Sequence, residues 1–136
     1  MAIFADLDAH VEINSVDISE WVLSSNLTTG SDTVETVAMG DTSVTVKPTF
    51  RRHSLSLELH QDFAASAIDA TLNGIVGTAV TFLYRPISGT VVGATNPNYT
   101  GSVVISDYSI SDQAAGEIAS FSVTWPVDGD LTRATS

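Results

Sequence analysis

The sequence predicts a mainly β protein, a β-sandwich or barrel with one short α-helix packed on its outside and a long arm. Three observations carry this. Most of the chain alternates apolar and polar residues with the period of a strand. One stretch, residues 61–78, has helical spacing instead. Residues 28–50 are extended in character yet polar on both faces, which a packed core strand is not.

Taken in order, Val11 and Ile13, then Trp21, Leu23 and Leu27, suggest two shorter strands joined by a turn around Asp17. Residues 28–50 hold extended fragments at 34–37 and 44–46 separated by Gly40-Asp41, and predict an arm or hairpin. Leu55, Leu57 and Leu59 alternate with Ser54, Ser56, Glu58 and His60, the pattern of a half-buried antiparallel strand. In the helical stretch, Ala64, Ile68, Leu72 and Ile75 form an apolar stripe over residues 62–76, with Asp62 as N-cap and Gly74 and Gly77 as stops. So short a helix is unstable alone and must lie against a sheet. Val80, Phe82 and Tyr84 alternate until Pro86 ends the strand, and residues 87–98 read as a surface loop. Residues 99–110 and 117–125 predict two strands paired through a turn at 112–116.

With 136 residues and 43% hydrophobic content, the chain supports one domain with one core, residues 1–136. No apolar run approaches the roughly 18 residues that cross a bilayer. The N-terminus places acids where a signal peptide needs positive charge, so no export by that route is expected. With no cysteine there is no disulfide, thiol nucleophile or thiolate metal site, which fits a reducing cytoplasm. His10, His53 and His60 lack metal-ligand spacing, and no Gly-x-Ser-x-Gly elbow or glycine-rich phosphate loop is present. Asp128-Gly-Asp130 has only a fragment of a calcium loop and reads as a solvated turn. No enzyme, metal or cofactor is expected.

Charge is the most unusual property. Five Lys+Arg face sixteen Asp+Glu, a net of −11, which opposes nucleic-acid binding. Three of the five cations, Lys47, Arg51 and Arg52, fall within six positions at the base of the arm. A solvated loop is one reading. The other is a docking segment, where a basic patch on one subunit meets an acidic surface on the next.

Several stretches taken together carry a resemblance. They are Val37-Ala-Met-Gly-Asp-Thr42, Gln61-Asp-Phe-Ala64, Asp69-Ala-Thr-Leu72, Ala94-Thr-Asn-Pro97 with Tyr99-Thr-Gly101, Val123-Thr-Trp-Pro126 and Leu131-Thr-Arg-Ala-Thr135. In this order the chain resembles, over nearly its whole length, the major tail protein of long non-contractile-tailed bacteriophages, most like those infecting actinobacteria. This is the tail tube subunit. The resemblance implies two packed antiparallel sheets flanked by one helix. It also implies hexameric rings stacked into a tube around a tape measure protein, with DNA later passing through. Tail terminator and tail-tip proteins are the implied end partners, and the implied location is the virion tail, assembled in the host cytoplasm.

On this reading residues 28–50 are the loop that reaches between subunits and rings. Its expected contacts are Val34, Val37, Met39, Asp41, Val44, Val46, Lys47, Phe50, Arg51 and Arg52. Ser43-Val-Thr-Val46 stands where more basic character is expected, so these contacts should be more apolar here. Some of Glu12, Glu58 and Asp107, each read as lying on the polar side of a strand, are expected to face the lumen and repel phosphate within a Debye length of about 8 Å. A tail terminator, tail-tip ring or secretion-tube component shares the expected fold. A carbohydrate-binding module instead displays a row of exposed aromatics, whereas Trp21 and Trp125 both sit on alternating apolar faces.

Overall fold

Alternation becomes pairing in the computed structural model, which describes residues 9–110 and 115–135. β1 (His10–Ile13) turns tightly into β2 (Val16–Asp17). The turn residues Asn14 and Ser15 have φ of 54° and 65°, the left-handed backbone that a two-residue hairpin loop requires. A single 3-10 turn, Ser19–Trp21, then carries the chain to a second sheet. There β3 (Val22–Thr36) and β4 (Thr45–His60) form one long antiparallel hairpin. α1 (Ile68–Asn73), β5 (Ala79–Arg85), β6 (Asn98–Val104), β7 (Ser120–Pro126) and β8 (Thr132–Ala134) complete the described elements. The sheets are β2-β1-β5-β6-β8 and β3-β4-β7, antiparallel throughout.

The core lies between them. Leu55, Leu57 and Leu59 of β4 pair in register with Trp125, Val123 and Phe121 of β7, so one face of that sheet is apolar across both strands. It packs against Val11, Ile13, Phe82 and Val103 of the other sheet, and Ile68 and Leu72 of α1 belong to the same buried cluster. Full burial of each such side chain contributes about 1.5–3 kcal/mol. Gly101 marks one tight place: a Cβ there would lie 3.1 Å from the Phe82 ring and 3.2 Å from the Asp130 carbonyl oxygen.

The two-sheet architecture with one helix agrees with the sequence, but three local expectations do not. The helix spans six residues, 68–73, rather than 62–76. Ala67 is the N-cap and Ser66 has a φ of 63°, so the backbone leaves helical space just before α1. Ala64 is exposed. Asp62 does not cap the helix with its side chain: Oδ1 accepts the Ala64 N–H at 2.9 Å and Oδ2 the Trp21 indole N–H at 3.1 Å.

β6 does not pair with β7. It pairs with β5 and β8, and reaches β7's side only through the single bridge Val103↔Val127. The physical reason is the better partner: β7's apolar face matches β4's residue for residue. Finally, no single turn around Asp17 joins the Val11 strand to one beginning at Trp21: β2 and the 3-10 turn lie between β1 and β3. β1 and β3 are in different sheets, and the hairpin at Asp17 is β1–β2. The N-terminal eight residues, on which the export expectation rested, lie outside the described residues, as does most of the expected 112–116 turn.

Candidate assembly interface

β7 covers β4 only from Ser54 to His60. Beyond Ser54 the β3–β4 hairpin continues as a bare two-stranded ribbon, held by the pairs Gly30↔Arg52, Ser31↔Arg51, Val34↔Lys47, Glu35↔Val46 and Thr36↔Thr45. Between Ser31 and Thr33 the partner moves from Arg51 to Pro48, so β4 carries one extra residue there. Such a bulge bends the ribbon and re-aims the side chains beyond it. Asp41 closes the tip: its N–H donates to the Ala38 carbonyl at 3.1 Å and its Oδ2 accepts the Ala38 N–H at 2.7 Å. Gly40, at φ 92°, supplies the turn.

Every residue expected at the arm is exposed. Val34, Val37, Met39, Val44, Val46 and Phe50 leave large apolar surface uncovered, with Met39 fully in solvent and Phe50 77% exposed. Asp41 is committed to the tip turn. Arg52 Nε donates to Asp32 Oδ2 at 2.7 Å, so the free cations of the cluster are Lys47 and Arg51. The ribbon has no core of its own, and isolated two-stranded hairpins are marginal in water.

At the arm's base lies a groove of about 880 Å³, lined by Phe50, Arg51, His53, Pro126 and Val127 among others. Sequence reading missed it. His53 continues the inward alternation of Leu55, Leu57 and Leu59, so its burial was readable, but the groove depends on where β7 stops.

The three candidate lumen acids do not share a face. Glu58 stands on the outer face of the β3-β4-β7 sheet, opposite Ser24 and Ser122, in a field of small hydroxyls where Ser56 and Thr124 meet at 3.0 Å. Glu12 lies on β1 of the other sheet, its Oε2 2.7 Å from His10 Nε2. Asp107 is past the end of β6 rather than on a strand, and its backbone carbonyl accepts the buried Trp125 indole N–H at 2.8 Å. Among the described residues, no group of three His, Cys, Asp or Glu is placed to hold a metal ion, and no helix is long and apolar enough to cross a membrane.

No family model and no curated protein matches this chain. Solved structures do. A chain in the virion of a native gene transfer agent particle superposes with a TM-score of 0.71 at 15% identity, over 93% of this chain and 95% of that one. The chain shares its fold with that virion component. A second match, from the tail of an empty gene transfer agent particle with C6 symmetry, has a TM-score of 0.66 at 13% identity and covers 93% of this chain and 94% of that one. Both superpositions therefore extend over nearly the whole chain.

Proposed function

We propose that this chain is the repeating subunit of a phage-type tail tube: a structural virion protein, not an enzyme, that forms hexameric rings stacked around a tape measure protein. The uncovered arm is the observation that carries the reading. A two-stranded ribbon with six exposed apolar side chains is unstable as a free feature and becomes stable when docked on another copy. Two further features support it. The β3-β4-β7 sheet has strands at both edges with unpaired backbone, one of them fifteen residues long, and such edges are templates for pairing. Joining the β3 edge of one copy to the β7 edge of the next is a head-to-tail contact that closes into a ring when the rotation permits. The C6 tail among the structural matches supports six as the number of copies.

In this assembly the arm reaches the neighbouring subunit or ring through the side chains from Val34 to Arg52 described above. Terminator and tail-tip proteins cap the ends, and DNA passes through without specific binding. Subunits are made and assembled in the host cytoplasm. The carbohydrate-binding reading loses its support, because Trp125 is fully buried and Trp21 is half-buried and bonded to Asp62.

Negative-stain electron microscopy of the purified protein, dilute and then concentrated, tests this. Long hollow tubes of stacked rings are the expected result. Discrete rings that never grow would assign the chain to a terminator or tip role instead. A monomer at every concentration, with no growth on isolated tail tips, would overturn the reading.

A further inference from the structure

The molecule has two poles along β4, and they differ in chemistry. At the arm end lies the groove with apolar Phe50, Pro126 and Val127 beside Arg51, an exposed guanidinium with no acid bound to it. His53, only 8% exposed, lines the same groove, and its Nδ1 has no hydrogen-bond partner within the chain. A buried polar nitrogen left unpaired is costly and is usually satisfied by something.

At the opposite end, Gln61 follows β4 and its N–H donates to the Ala119 carbonyl at 3.0 Å, which sets residues 61–63 beside 117–119. This pole presents Phe63, 65% exposed, and Ile118, 80% exposed, next to Asp62 and the exposed Glu117, which has no ion pair among the described residues. One end is thus apolar with two guanidiniums, Arg51 and Arg52, beside the single carboxylate of Asp130, and the other is apolar and anionic.

Resting on the tail-tube reading, we propose that the arm-base groove is the socket for the opposite pole of a second copy, with Ile118 and Phe63 against Phe50, Pro126 and Val127, and Glu117 paired to Arg51. Charge selects the occupant. Two of the chain's five cations, Arg51 and the Asp32-paired Arg52, line this socket beside one carboxylate, Asp130, in a molecule of net charge −11, and the opposite pole carries the carboxylates of Asp62 and Glu117. A pole-to-pole contact would set acids against acids, so the symmetric alternative is disfavoured. The two surfaces cannot meet within one chain, because the eleven residue steps from Phe50 to Gln61 separate them by about 36 Å of strand. The contact is therefore intermolecular and heterologous, and repeating it along the strand axis generates an open stack.

Charge exchange tests the pairing. R51E and E117R should each reduce pelletable tube at least tenfold, while the double variant R51E/E117R restores it. Unchanged tubes in both single variants overturn the socket. So does a double variant that stays unassembled while its circular dichroism and melting match the parent. A second test uses the absence of native cysteine. In tubes of R51C/E117C, a short bismaleimide crosslinker should yield a ladder of multimers on a denaturing gel, and each single-cysteine variant no ladder. Tubes without a ladder overturn the socket but leave the tail-tube reading intact. Failure of the parent chain to form tubes, alone and on isolated tail tips, overturns the reading itself.

Discussion

Tyr108 joins three parts of the molecule through one hydroxyl and one ring. Its O–H donates to Asp69 Oδ1 on α1 at 2.6 Å and accepts from Gln61 Nε2 at 2.9 Å, while its ring stands edge-on to Phe121 at 5.3 Å. Burial, and then the Asp69 carboxylate that accepts its proton, push the phenol up to about 12. A phenol in the unfolded chain titrates near 10. The folded state therefore favours the neutral form, so this contribution is fully present below about pH 10 and is lost as pH rises through about 12. Tyr108→Phe should lower the melting temperature at pH 8 and flatten its decline between pH 10 and 12 relative to the parent, as followed by circular dichroism. An equal decline in both proteins would remove Tyr108 as the cause. This role was not legible in the sequence, where Tyr108 reads as one more residue of an alternating strand. Hydrogen-bond partners thirty-nine and forty-seven positions away leave no local signature. Asp62 misled for a related reason: a carboxylate ahead of an apolar stripe looks like a helix cap, but its second oxygen belongs to Trp21, forty-one positions away.

At the scale of elements, alternation identified β4, β5 and β7 because each buries one face, yet it could not name their neighbours. Period two states which face is apolar, not which strand lies alongside. That is why sequence pattern pairs β7 with its neighbour along the chain, while the structure pairs it with β4. The helix was overextended because Ala64 fits the stripe by spacing while contributing nothing to the core. The arm was legible as an arm, since polar residues on both faces exclude a core strand, but its bulge and the groove beside it depend on register. The arm's independence from the core gives a direct test. Replacing residues 37–44 with Asn-Gly joins the last pair, Thr36↔Thr45, through a two-residue turn. That variant should keep its melting temperature within a few degrees, because no residue of the buried core is touched, yet form no tubes by electron microscopy. Tubes of normal length would show that the tip makes no necessary contact.

For the whole molecule, the two outer faces of the sandwich point in opposite directions, so Glu12 and Glu58 cannot line the same channel. On the proposed tube reading, the lumen falls to the β3-β4-β7 face, whose open edges are the ones proposed to join copies. In the proposed six-copy ring, Glu58 among serine and threonine hydroxyls would give a surface that repels phosphate at short range without trapping it. Glu58→Lys should leave tubes intact but slow genome release from assembled particles, an effect that weakens at high salt. Release at the normal rate would move the lumen to another face, and Glu12→Lys then becomes the variant to compare.

The arm leaves from one pole only, and that asymmetry reaches beyond the subunit. A filament of such parts has a direction, like an arrow: one terminus ends in a crown of projecting ribbons, the other in bare sandwich ends. No single capping protein can recognise both. On the proposed tube reading, whatever starts the filament and whatever stops it would therefore be different molecules, each built against a different surface.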